Sequence, residues 1–438
     1  MPFAAVTNPV PAVEAPAKIS ASKRLMSVDA LRGFDMFWII GADALVRALK
    51  NMSPNFVTTT LATQLEHVEW AGLHFYDLIF PLFVFIVGVS LVFSLRRARQ
   101  EEGRAGALRR VFRRSLLLFA LALFYSGGLT DPWPNIRLLG VLNRIALCYF
   151  FAGLIFCFFN PRAMAAICAG LLVGYWALMT FVPIRDIQLE NEHLARLAAD
   201  TGDLKTAALF KGTTNLSTLK NSPGWAAAQK MFDGTTKTVT GKFEKGLNLA
   251  NHLDFQFLPG KKWDVFWDPE GLLSTLPAIA TCLLGVFAGL LLMNPNVADE
   301  RKVAILFGAG AIAIATGLLW SMQFPIVKKI WSSSFVLVAG GCSALLLAGF
   351  FLVVDVWQKR TWCQPFVWIG MNSITIYVAS NLLGGFRRVG ARLAGGDLKN
   401  GLETFAPGAG ELLVAIVGLA LAFAFVHFLY RRKIFLRL

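Results

Sequence analysis

Long apolar runs separated by short basic stretches make up most of this chain. Ten runs read as helices, at roughly 29–49, 74–95, 108–126, 138–159, 163–183, 271–293, 302–322, 332–354, 365–385 and 409–430. Each is about as long as the twenty or so helical residues that cross a hydrocarbon core. Uninterrupted runs such as LLVGYWALMTFV exclude a membrane β-barrel, whose strands alternate apolar and polar positions. The fold class is therefore all-α polytopic membrane protein, with about ten transmembrane helices and one large extracytoplasmic loop. The first run is the most polar, with Asp29, Arg32, Asp35, Asp43 and Arg47, and the ninth is interrupted by Asn372, Ser373 and Asn381. Polar spans of this kind face a bundle interior or a cavity rather than lipid.

The pattern divides the chain into residues 1–22, 23–183, 184–268 and 269–438. The first segment is rich in Ala and Pro and has no apolar signal core, which predicts a disordered cytoplasmic tail. Residues 23–183 carry five spans and 269–438 the other five. The polar 184–268 loop is long enough for a small cap or lid. Basic residues cluster at Lys23/Arg24, 96–110, Arg162, Arg301/Lys302, Lys359/Arg360 and 431–433, all on one side of the predicted alternation. The positive-inside rule makes that side cytoplasmic, with both termini inside and 184–268 outside. That loop holds eleven Lys/Arg against ten Asp/Glu, so it has no retention signal. Localisation as a multi-pass protein of the cell (inner) membrane follows.

Composition agrees: 56% of the 438 residues are hydrophobic and mean hydropathy is +0.57. The net charge of +15 sits in the short loops and reads as a topology signal, so nucleic acid is not expected as a partner. The partners expected are membrane lipid and a small-molecule or glycan ligand, with a homodimer left open. The six cysteines lie in or beside apolar runs, which gives neither a disulfide framework nor a metal site. His193, His252 and His427 each stand alone, and no metal is expected. GxSxG, Walker A and Rossmann signatures are missing from the sequence.

Candidate chemistry concentrates in HVEWAGLHFYDLIFPLFVFIVGVSL. His67, Trp70, His74 and Asp77 stand at offsets 0, 3, 7 and 10, which a helix would gather within about 80° of one face. An imidazole and a carboxylate at the mouth of a span suit pairing or catalysis. In the first run, Asp29, Arg32, Asp43 and Arg47 would share one stripe. They form either two self-compensating ion pairs or a polar wall through the membrane. Arg144, beside Asn143, either pairs with an aspartate of the first run or holds an anionic group. Trp70 offers a stacking face or an interfacial anchor, and Asn372 and Ser373 offer polar lining or helix–helix hydrogen bonds.

Several motifs in one order resemble the transmembrane acyltransferase family typified by heparan-α-glucosaminide N-acetyltransferase, most of all its bacterial branch. They are RLMSVDALRG, HVEWAGLHFYDLIFPLFVFIVGVS, VLNRIALCYF, NLANHLDFQFLPG, DPEGLLSTLPAI, FPIVKKIWSSSFVL and GMNSITIYV, spanning residues 24 to about 385. The resemblance implies acetyl-CoA as donor and the amine of an amino sugar as acceptor, on opposite sides of a membrane. It places the family's active histidine on His67 and its partner on Asp77. An imidazole can act as base or carry the acetyl group itself. Asp29, Arg32, Asp43 and Arg144 would line the donor and acceptor path. The chain departs from the lysosomal enzyme at Asp43, where that enzyme has asparagine. An acidic group there would favour a cationic or polyhydroxy acceptor of an envelope glycan. The rival reading is a proton-coupled transporter or flippase of a polyol or glycan precursor, with Asp29, Asp43 and His67 as relay groups.

Overall fold

The computed structural model describes residues 25–128, 130, 132, 135–211 and 222–436. The tail at 1–22 and the charges at Lys23/Arg24 lie outside the described residues. The chain enters through α1 (Met26–Phe37), a π-helical turn at Trp38–Ala42 and α2 (Asp43–Met52). Gly41, at φ 133°, throws the second half off the axis of the first. The single polar stripe expected from a regular helix is therefore broken between Arg32 and Asp43. The short α3 (Phe56–Gln64), capped by Asn55 and Thr58, comes next.

Residues 65–74 leave the helix, and a 3-10 turn at Phe75–Leu78 leads into α4 (Ile79–Tyr125). Gly103 interrupts α4 at φ 70° and ψ −168°, a backbone that only glycine adopts freely. Arg110 Nη1 reaches the Ser94 carbonyl at 3.4 Å, whereas sixteen residues of straight helix would separate them by about 24 Å. The α4 segment thus holds two antiparallel legs, matching two predicted runs. Next come α5 (Val141–Phe158) and α6 (Pro161–Phe181).

Between α6 and the next long helix, the described residues of the segment form short helices and a pair of strands, referred to below as the cap. The cap contains β1 (Ile184–Arg185), α7 (Asn191–Asp200), α8 (Leu204–Lys211), α9 (Pro223–Gly234), β2 (Thr238–Val239) and α10 (Leu249–Phe257). The two strands pair antiparallel, Ile184 opposite Val239. Leu194, Phe210, Trp225, Phe232, Phe255 and Trp267 form its own apolar core. The chain then returns through α11 (Thr275–Leu292), α12 (Asp299–Trp320) and α13 (Ser333–Phe350), the last extended by a π-helical turn. It ends in α14 (Gln364–Met371), α15 (Ser373–Leu382), α16 (Phe386–Ala394), α17 (Asp397–Phe405) and α18 (Ala409–Arg431).

Among the described residues seven helices are long and apolar enough to cross a membrane. One is the continuous Phe75–Tyr125 segment, which carries both legs of α4. The predicted runs at 29–49 and 365–385 are helical but broken, at the π-helical turn and at Asn372, and fall outside that set. Close approach of backbones fixes the bundle. A Cβ on Gly285 would stand 1.9 Å from the Phe85 carbonyl oxygen, and one on Gly88 would stand 2.0 Å from that of Cys282. The α4–α11 crossing therefore needs small residues.

At one end of this bundle the connecting segments meet. Trp70 Nε1 donates to the Phe243 carbonyl (2.8 Å), Gly72 N–H to the Ile326 carbonyl (2.9 Å), and Arg137 to Asp268 (2.8 Å). The segments before α4, before α5, inside the cap and between α12 and α13 thus share one end, the grouping that the span alternation predicts.

Candidate functional site

The loop at 65–74 brings His67 back onto Asp77. His67 Nδ1 lies 2.8 Å from Asp77 Oδ1. The expected helical stripe is replaced by a turn, because the Asp77 carboxylate collects the backbone N–H groups of Val68 (3.2 Å) and His74 (3.1 Å) at its other oxygen. Asp77 is 1% exposed, so its charge is satisfied by three N–H donors and one cation rather than by water. That cation is Lys328, from the 3-10 turn Lys328–Ile330. Its Nζ stands 3.3 Å from Asp77 Oδ1 and 3.0 Å from His67 Nδ1. Burial pulls the Lys328 ammonium below its ordinary range, while Asp77 opposes the shift. An ionised carboxylate only accepts, so the His67 Nδ1–H donates to Asp77 and Nε2 is left as the lone-pair nitrogen. Tyr76 packs its ring against the imidazole at 4.8 Å.

Two cavities meet at this group. One of about 220 Å³ is largely apolar, running along Met36, Ile39, Phe80 and Phe83 between helices, with Ser373 and Tyr76 on its wall. The other, of about 810 Å³, is polar and opens among the cap loops. His67, Lys328, Glu270, Tyr377, Val141 and Leu142 line both. The polar cavity carries Arg137, Lys261, Lys262, Lys328 and Lys329 against Asp77 and Glu270, and also presents Trp263. Arg137 grips Asp268 through Nε (2.9 Å) and Nη2 (2.8 Å) and also reaches Glu270 (2.8 Å). Burial, followed by the neighbouring Asp268, pushes the Glu270 carboxyl above its usual range.

The other sequence candidates are placed elsewhere. Asp29 and Arg32 pair with each other at 3.4 Å, and Arg32 also bonds Ser90 (2.5 Å). Asp43 pairs with Arg47 on α2. None of these four lines either cavity. Trp70 turns away from His67 onto Trp267, ring centroids 5.6 Å apart, and anchors the loop to the cap. Arg144 pairs with no aspartate of α1. It is 1% exposed, donates to Ser274 and Gly271 at the start of α11, and lies over the Trp331 ring. Ser373 lines the apolar cavity, while Asn372 is buried and donates to the Trp368 carbonyl.

Sequence reasoning missed Lys328, Glu270, Arg137 and Trp263. A signal for the cations was present: Arg137, Lys261, Lys262, Lys328 and Lys329 all fall in segments that the predicted alternation puts outside, against the positive-inside rule.

The fold and site define a helical multi-pass membrane protein with a histidine–aspartate–lysine cluster at the neck between an apolar and a cationic cavity. Residues 24–196, which include His67, Asp77 and Arg144, match the family model described as heparan-alpha-glucosaminide N-acetyltransferase, catalytic. The chain is 28% identical over 397 residues to heparan-alpha-glucosaminide N-acetyltransferase of Mus musculus, covering 84% of this chain and 56% of that protein. It is 27% identical over 388 residues to the Homo sapiens protein of the same name, covering 84% and 55%. The chain is similar to these proteins and spans about half the length of the curated relatives it matches.

Proposed function

We propose that this protein is a membrane-embedded acyltransferase that moves an acetyl group from acetyl-CoA to an amine or hydroxyl of an amino sugar. The observation that carries the reading is the His67 Nδ1–Asp77 Oδ1 bond of 2.8 Å at the neck shared by two cavities of opposite character. His67 Nε2 serves as base or acyl carrier, and Asp77 holds the ring and balances the charge that arrives on it. The residues present suit the donor's thioester end: the apolar cavity with its Ser373 and Tyr76 hydroxyls leads to His67. Topologically the chain makes ten crossings, with both termini cytoplasmic, acetyl-CoA arriving from that side and the cap outside.

In a direct transfer, Nε2 takes the acceptor's proton as its nitrogen or oxygen attacks the thioester carbonyl, and CoA leaves as the thiol. In a two-step route Nε2 attacks first, CoA leaves, and the acceptor then cleaves the acetyl-imidazole. The acceptor lies in the polar cavity. With Asp43 neutralised by Arg47 away from that cavity, the cationic preference expected from the sequence loses its basis. Arg137, Lys328 and Lys329 are held in ion pairs, and Lys261, also on the cavity lining, is a cation offered to acidic groups on an acceptor. Trp263, 69% exposed, replaces Trp70 as the aromatic face for a sugar ring. The transporter reading weakens because its polar stripe is broken and paired internally.

The test is thiol release by the purified full chain given acetyl-CoA and glucosamine, beside a His67→Ala protein. The expected result is release with acetylated amine in wild type and at least a hundredfold less in the variant. Equal release by both would remove His67 from the chemistry. An acetylated protein that accumulates without acceptor would mark the two-step route.

A further inference from the structure

A separate cavity of about 660 Å³ opens at the far end of α4, α5 and α6, where Arg96, Arg99 and Arg104 around the Gly103 reversal face Phe158, Phe159 and Asn160. The His67 cavity touches α5 at Val141, Leu142 and Ile145, whereas this one touches its last turn. Eighteen residues of α5 separate the two ends by about 27 Å. Leu91, Leu95, Val111, Cys148 and Ala152, all 0% exposed, fill the core between. The two cavities therefore lie at opposite faces of the bundle and do not communicate.

The three guanidinium groups have no acidic partner at ion-pair distance among the described residues. The nearby acids are engaged elsewhere: Glu101 with Arg97 at 2.7 Å and Glu102 with Arg110 at 3.7 Å. Arg104 lies 4.0 Å over the Phe158 ring, and Phe158 and Phe159 remain about half exposed. A cationic pocket rimmed by exposed aromatic rings at a helix-bundle end matches an amphiphile with an anionic head. Guanidinium forks fit phosphate oxygens, and basic pockets between membrane helices are suited to acidic head groups.

We propose that this cavity binds the phosphate head group of an anionic phospholipid, whose chains lie along Phe158 and Phe159. The proposal is independent of the acyltransferase reading. The test is native mass spectrometry of the full chain in detergent, with phosphatidylglycerol or phosphatidylcholine added. Wild type is expected to bind one phosphatidylglycerol about tenfold more tightly than phosphatidylcholine. A combined Arg96→Gln, Arg99→Gln, Arg104→Gln protein should lose that preference. A matched Arg109→Gln, Arg113→Gln, Arg301→Gln protein, equal in charge removed, should keep it. Asn160→Asp adds a negative charge to the pocket and preserves the N-cap that Asn160 supplies to Ala163, so it should weaken the preference without unfolding the chain. Preference unchanged in the first variant, or lost equally in the matched one, would overturn the proposal. So would displacement of phosphatidylglycerol by equimolar CoA, which would give the cavity to a nucleotide phosphate instead.

Discussion

Asp77→Asn gives the sharpest test of how the site balances charge. The substitution keeps the side-chain shape but removes the anion that faces His67 at 2.8 Å and Lys328 at 3.3 Å. Two unit charges about 4 Å apart attract by about 4 kcal/mol at an effective dielectric of about 20. The His67 side chain is 52% exposed, so solvent screening brings this to about 2 kcal/mol. Losing that support for the positive charge that reaches the imidazole during transfer slows the reaction by about thirtyfold. Lys328, 3.0 Å from Nδ1, then repels the same charge without an opposing anion. The Asp77→Asn, Lys328→Met double variant should therefore be about tenfold faster than Asp77→Asn alone. The assay is initial-rate CoA release with saturating acetyl-CoA, read with equilibrium acetyl-CoA binding to separate chemistry from affinity. An Asp77→Asn rate within threefold of wild type, or a double variant slower than the single, would refute the electrostatic reasoning.

Other outcomes follow from the packing around the site. Arg137→Ala strands the buried Asp268 carboxylate and should cost about 3–5 kcal/mol, read as a lower Tm in a fluorescence melt. Gly285→Ala, which would drive a Cβ to 1.9 Å from the Phe85 carbonyl, should cost at least 1–3 kcal/mol and reduce the monodisperse yield on size exclusion. Burial pushes the Asp254 carboxyl up to about 7 from 3.8. A raised folded-state value means that its contribution to stability is fully present below the unfolded value and lost as pH rises from about 4 to about 7. His252, pushed down to about 4 by burial, acts in the opposite sense over the same window. The readout is therefore the difference between wild type and Asp254→Asn. The wild-type melt should lose ground to the variant as pH rises, and parallel curves would exclude the linkage.

Hydropathy by itself determined the helical membrane class, the order of the helices and which connecting segments share an end. These follow from local composition, since each apolar run must satisfy its own backbone in lipid. The same reading picked out His67 and Asp77, ten residues apart, because ionisable groups beside an apolar run stand out. It also assigned them a helical face, and the structure uses a turn instead, since the Asp77 carboxylate is worth more as an acceptor for Val68 and His74 N–H groups than as one position on a wheel. The polar first run is read differently once folded: Asp43, expected as a specificity residue, pairs with Arg47 one helical turn on and lines neither cavity itself. Only the tertiary structure decided that Lys328, 261 residues from His67, completes the cluster, and that Glu270, Arg137 and Trp263 line the cavity beside it. Such long-range pairings leave no periodic trace. Their one mark in the sequence is a set of cations in segments where the topology rule expects few, and it gains meaning once folding brings those segments together.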